Sequence, residues 1–262
     1  MVKMQEKEQS RTGDLMFKKI LASVGIGAAK VDTVLETEHL QPGQKFQAQI
    51  IVNGGDVVQE VTGLELALMT RIKHDGENGE YFTNHVLEKW SVGERFSIGP
   101  GEQKVIPFEA RLHSETPITE INAGYNYSFV WIETGLDIDL ALDPSDKDTL
   151  HIYPNEAVKT CLAAMEKLGF TLVKADVEQG YLKAADFQSF SGCYQELEYR
   201  PNSQSIFGIQ EIELSFVPEA HKTHVLIELD RAFRTDGYVD LTIEHGQVNL
   251  SALCDQLERL FA

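Results

Sequence analysis

The chain has 262 residues, 42% of them hydrophobic, which is enough for packed cores and excludes general disorder. Its 23 Lys and Arg against 41 Asp and Glu leave a formal net charge of −18, and the longest basic run is Lys18-Lys19, so nucleic acid and anionic membrane surfaces are excluded as partners. Three cysteines, Cys161, Cys193 and Cys254, are an odd number without Cys-x-x-Cys spacing, which predicts reduced, mostly buried thiols and neither a disulfide framework nor a zinc site.

Residues 1–15 are polar and charged and predict a disordered extension without the apolar centre of a secretory signal. Phe17, Ile20, Leu21 and Val24 recur at helical spacing, which predicts a short amphipathic helix over 16–24, broken by Gly25 and Gly27. From Val31 the period becomes two. Phe46, Ala48, Ile50 and Val52 share one face of a strand, as do Leu64, Leu66 and Leu68, then Ile106, Phe108, Ala110 and Leu112. Tyr125, Tyr127, Phe129 and Trp131 alternate in the same way, followed by Leu136, Ile138, Leu140 and Leu142 against Asp137 and Asp139. Turn chemistry separates these runs at Pro42-Gly43, Asn53-Gly54-Gly55, Asp75-Gly76, Asn78-Gly79 and Gly99-Pro100-Gly101. Short alternating strands between such turns predict an antiparallel β-sandwich ending near residue 150, with Leu64, Leu66, Leu68, Phe108, Phe129 and Trp131 in its core.

A second pattern follows Asp143-Pro144-Ser145-Asp146. Asn155 is a candidate N-cap for a helix striped by Val158, Leu162, Met165 and Leu168 and ended by Gly169. Strand-like runs cover 170–175, 180–184, 193–199, 209–217, 223–229 and 238–243. A last helix places Leu250, Leu253, Leu257, Leu260 and Phe261 on one face, with Asn249 near its start. Residues 151–262 therefore predict an α+β domain, an antiparallel sheet flanked by helices. Both halves are acidic: 14 basic and 24 acidic residues run through Tyr153, and 9 and 17 follow it.

The segment Met16-Phe17-Lys18-Lys19-Ile20-Leu21-Ala22-Ser23-Val24-Gly25-Ile26-Gly27-Ala28-Ala29-Lys30-Val31-Asp32-Thr33-Val34-Leu35 resembles the opening of bacterial sporulation-control proteins, the SpoOM family. Pro42-Gly43 leading into the Phe46–Val52 run, and Gly99-Pro100-Gly101-Glu102 leading into Ile106-Pro107-Phe108-Glu109, resemble arrestin-like N-terminal domains. The resemblance extends from about residue 16 to the C-terminus. It implies an arrestin-like sandwich over residues 16–150 and a regulatory role without catalysis. The family supplies no motif of catalytic residues to carry over. The helices that begin and end the second half differ from a second arrestin sandwich.

Chemistry-bearing patterns are few. Gly25 and Gly27 ahead of Lys30 do not have the G-x-x-x-x-G-K-[ST] spacing that wraps phosphates, and they follow a helix, so a tight turn is expected there. His221 and His224 are three apart, which on a strand aims them at opposite faces; surface histidines near a turn are expected. Cys193 has no identifiable histidine partner. The acidic run Glu133, Asp137, Asp139, Asp143, Asp146 and Asp148 lacks the glycine and spacing of a calcium loop and reads as a solvated strand face entering the linker. No catalytic, cofactor-binding or metal-ligating residue is assigned, no cofactor is expected, and the partner-binding residues are unknown. The expectation is a cytoplasmic, non-enzymatic regulatory or scaffolding protein that binds other proteins, their identity unknown, with homo-oligomerisation open and with no nucleic-acid binding or stable membrane insertion. The alternative is a small-molecule-binding protein or hydrolase that uses a cleft between the two domains.

Overall fold

The structure is a computed structural model, and it describes residues 27–37, 39–76, 79–139, 143–203, 208–232 and 237–262. The expected extension over 1–15, the helix over 16–24 and the positions Leu140 and Leu142 lie outside the described residues. In the first half, strands form at β1 (Lys30–Leu35), β2 (Lys45–Asn53), β3 (Gln59–Gly76), β4 (Gly79–Ser91), β5 (Phe96–Ile98), β6 (Gln103–Arg111), β7 (Tyr125–Asn126), β8 (Val130–Ile138) and β9 (Ser145–Thr149). The second half runs α1 (Glu156–Lys167), β10 (Phe170–Gln179), β11 (Cys193–Pro201), β12 (Ile209–Pro218), β13 (Lys222–Arg231), β14 (Gly237–Glu244) and α2 (Leu250–Phe261). The chain is mainly β.

Two layers enclose the first core. A three-stranded sheet, β1-β2-β6, carries Val31, Phe46, Ile50 and Val52 inward. They pack on Leu64, Leu66 and Leu68 of β3 and Val130, Ile132 and Leu136 of β8. Pro107, which cannot donate to a ladder, sits in β6, the outer strand of its sheet. At the turn after β2, a Cβ on Gly54 would fall 2.0 Å from the Gly99 carbonyl oxygen, and one on Gly55 would fall 1.9 Å from that of Gly27. Only glycine allows these three backbone segments to close the sandwich end.

The second layer is an eleven-stranded sheet ordered β14-β13-β12-β11-β10-β3-β8-β9, with β4 and β5 also paired to β3 and β7 to β10. It runs without a break from the first half into the second, because β10 pairs in parallel with β3 at Glu178↔Lys73. α1 and α2 cover one face of its β10–β14 end around a second core that includes Cys161, Met165, Leu197, Ile212, Ile227, Leu257 and Phe261. The helix signals hold. Asn155 accepts from the Val158 N–H at 2.9 Å, Asn249 accepts from the Ala252 N–H at 3.0 Å, and Gly169 ends the first helix at φ 85°. Among the described residues no helix is long and apolar enough to cross a membrane.

Several expectations are corrected. Ser145–Thr149 is a strand paired to β8, Trp131↔Thr149, which no apolar period announces because its sequence is entirely polar. The run over 125–131 is broken between β7 and β8. Tyr125 is 67% exposed, Phe129 is 45% exposed and Trp131 is half-buried, so these rings alternate on the face that the three-stranded sheet does not cover. Phe108 packs on the core only partly buried. Residues 180–184 form a loop whose Leu182 is buried in a small cluster with Phe187 and Val217. Leu250 is exposed at the first turn of α2.

Candidate functional site

The face of β10–β14 that turns away from the helices is polar, and its charges are arranged by register. Because side chains of paired residues share a face, Glu198 stands beside Glu213, Glu213 beside Glu228 and Glu228 beside Tyr238, in a row crossing β11, β12, β13 and β14. A neighbouring row pairs Asp176 with Glu196 and Glu196 with Ser215. On the other side Glu211 faces Asp230. Like charges directly opposite one another destabilise a sheet. Burial, followed by repulsion from Glu196 and Glu228, pushes Glu213 up to about 8. Burial, followed by repulsion from Asp176 and Glu178, pushes Glu196 up to about 7.

Cations compensate only the margins of this ladder. The Lys73 ammonium, reaching from β3, lies 2.8 Å from Asp176 and 2.6 Å from Glu178. Burial opposes its charge, but the two carboxylates outweigh burial and hold the lysine protonated. Lys174 adds a contact of 2.8 Å to Asp176, and Arg200 bridges Glu198 and Glu211 at 2.8 and 3.0 Å. Asp176, Glu178 and Glu196 are grouped closely enough to hold a metal, yet the place of the ion between the first two is taken by Lys73.

The loop 180–192 folds over one end of this face, where Leu182 and Phe187 pack on Val217. Below it lies a groove of about 470 Å³ with Glu196, Glu213 and Glu228 on its floor and Tyr181, Tyr194 and Tyr238 around it. Tyr181 and Tyr238 are each 64% exposed. On the other side of Lys73 the same sheet face becomes aromatic. The Arg71 guanidinium lies 4.4 Å from the Phe82 ring centre and 4.2 Å from that of Phe129, and Tyr127 stacks on Tyr125.

The residues singled out in the sequence fall elsewhere. Gly27 is a turn residue at φ 69° whose carbonyl accepts from the Asp56 N–H at 2.8 Å; Gly25 lies outside the described residues. His221 is exposed, but His224 is 1% exposed, stacked on Phe187 at 4.6 Å and bonded to Thr242 and Glu219, which corrects the expectation of a surface histidine. Cys161, Cys193 and Cys254 are free and buried. Burial pushes the Cys193 thiol up to about 11, which keeps it protonated and a poor nucleophile. Asp146 and Asp148 meet Asp32 of β1 rather than one another alone. Asp146 accepts from the Thr33 N–H at 3.0 Å, and burial together with Asp146 and Asp32 pushes Asp148 up to about 7.

A cleft of about 950 Å³ does open between the two halves, beside Trp90, Arg111, His113, Phe190 and His245. Its polar groups are engaged in holding its walls. Arg111 donates to the Gly43 carbonyl at 2.6 Å, His113 Nδ1 accepts from the Glu115 N–H at 3.1 Å, and His245 Nε2 bonds Thr223 at 2.8 Å. Burial pushes the His113 imidazole below its ordinary range, against the opposing pull of Glu115 and Glu88. The buried Glu115 carboxylate accepts from the Phe190 and Ser191 N–H groups, so it pins the loop that forms one wall.

A layered β protein with an open, carboxylate-rich sheet face is the class of molecule that this geometry defines. Residues 17–233 match the family model described as SpoOM protein, and the chain belongs to that family. It is 37% identical over 222 residues to the sporulation-control protein Spo0M of Bacillus subtilis (strain 168), covering 83% of this chain and 81% of that one. The crystal structure of Spo0M from Bacillus subtilis superimposes with a TM-score of 0.77 at 30% identity, over 90% of this chain and 98% of the other.

Proposed function

We propose that this chain is a non-enzymatic regulatory protein, cytoplasmic and akin to the sporulation-control protein it resembles, that acts by binding another protein through the open face of its β10–β14 sheet. The observation that carries this reading is the row Glu198, Glu213, Glu228. Three carboxylates stand directly opposite one another on adjacent strands, where apolar or mixed-charge pairs would give a more stable sheet. A surface that sacrifices stability in this way is characteristic of a functional site. The family membership supports regulation in preference to catalysis.

The test places a photo-cross-linking amino acid at Glu213, and at Glu109 on the three-stranded sheet as a control, in the full chain in its native host. A discrete adduct with a second protein from position 213, absent from position 109, is the expected result. Equal adducts from both positions, or none from position 213, would defeat the reading.

A further inference from the structure

We propose that the groove beside Tyr181 and Tyr238 takes an extended segment of the partner protein bearing arginine or lysine side chains. This rests on the proposed function and names the chemistry of the partner.

Charge complementarity selects the occupant. Glu196, Glu213 and Glu228 line the groove, and the cations nearest to the ladder are already bound: Lys73 and Lys174 to Asp176, Arg200 to Glu198 and Glu211. Lys183 is the cation among the groove's own lining residues, against three carboxylates. The tyrosine rings add faces on which a guanidinium or ammonium packs favourably, and carboxylates beside them offer charge-assisted hydrogen bonds. Carboxylate and aromatic groups together describe recognition of an organic cation.

Dimensions select a segment over a single small ion. The three carboxylates come from β11, β12 and β13, so they span two strand spacings, roughly 10 Å. Glu196 stands one row over from Glu213 and Glu228, and an extended chain places alternate side chains about 7 Å apart on one face, so two basic residues match that span. The pair Asp176 and Glu178, by contrast, already holds the Lys73 ammonium.

The probe is the peptide Ser-Arg-Ser-Arg-Ser-Arg-Ser, titrated calorimetrically into the full chain at pH about 9, above the value of about 8 to which Glu213 is raised, beside its Arg→Ser counterpart and beside spermine. The Arg peptide should bind and the Ser peptide should not. The double variant E213Q/E228Q should weaken binding about tenfold, and Tyr181→Ala should weaken it as well. The double variant E36Q/E109Q, which removes two carboxylates on and beside the three-stranded sheet, should change it less than about twofold. The glutamines relieve repulsion, so the groove variant stays folded, and a melting curve verifies this. Equal weakening by both double variants would reduce the interaction to bulk charge, spermine binding as tightly as the peptide would make this a polyamine site, and no peptide binding would end the proposal. A cross-linked partner whose contacting segment lacks Arg and Lys would overturn this inference while leaving the proposed function standing. Absence of any adduct would overturn the proposed function and, with it, the partner segment, whatever the peptide titration gives.

Discussion

Lys73 and Asp176 come from opposite halves of the chain, yet the ammonium lies 2.8 Å from the carboxylate, with the two side chains only 7% and 3% exposed. Glu178 completes the pair at 2.6 Å. Removing Lys73 leaves buried Asp176 with Lys174 as its remaining cation and takes the ammonium away from Glu178. Lys73→Met is expected to cost roughly 3–5 kcal/mol, and adding Asp176→Asn should recover part of that loss. Urea midpoints for the two variants measure it; an unchanged midpoint for Lys73→Met would mean that the pair contributes nothing to cohesion.

The carboxylate ladder makes stability fall as pH rises. Glu213 and Glu196 are raised from 4.5 to about 8 and about 7, so between about 4.5 and about 8 the folded chain holds protons that the unfolded chain has released. The slope of unfolding free energy with pH is then negative across that window. Glu213→Gln should melt higher than the parent chain at pH ~8 and nearly with it at pH ~4.5. Parallel melting curves at both values would contradict the shift.

Core and open face should respond differently to truncation. Leu66 is fully buried between the two layers, and Leu66→Ala should cost ~2–5 kcal/mol through the cavity it leaves. Phe129 is 45% exposed beside Arg71, so Phe129→Ala should cost less than that, despite removing more atoms. Chemical denaturation of the two variants side by side is the comparison, and a larger loss at Phe129 would place that ring inside.

Thiol accessibility offers a check on packing. Cys161, Cys193 and Cys254 are all buried, and burial pushes the first two thiols up to about 12 and about 11. A disulfide reagent at neutral pH should modify none of them on mixing with the native chain and all of them in denaturant. Fast labelling of the native protein would show that at least one is open to solvent.

Much of the fold is legible in one sequence because alternation and capping are local. Phe46–Val52 and Leu64–Leu68 show their inward faces directly, and Asn155 and Asn249 announce the helices they cap. The expectation of Phe129 and Trp131 inside fails because alternation reveals which residues share a face and not whether a second layer covers it. β4 and β9 escaped because one is mostly exposed and the other is all polar, so neither carries an apolar period. The ladder could not be read at all. Glu198, Glu213 and Glu228 meet through strand register, which depends on hydrogen bonding between segments far apart in sequence.

The join between β3 and β10 also dictates an order of assembly. β8 accompanies β3 as far as Thr70, after which β10 takes over that edge at Lys73. During synthesis the first half emerges with this end of β3 paired to β4 on one edge and open on the other, and that edge stays open until the second half follows. A fragment ending near residue 150 would keep a bare strand edge beside the exposed Phe129 ring, a combination that invites intermolecular pairing.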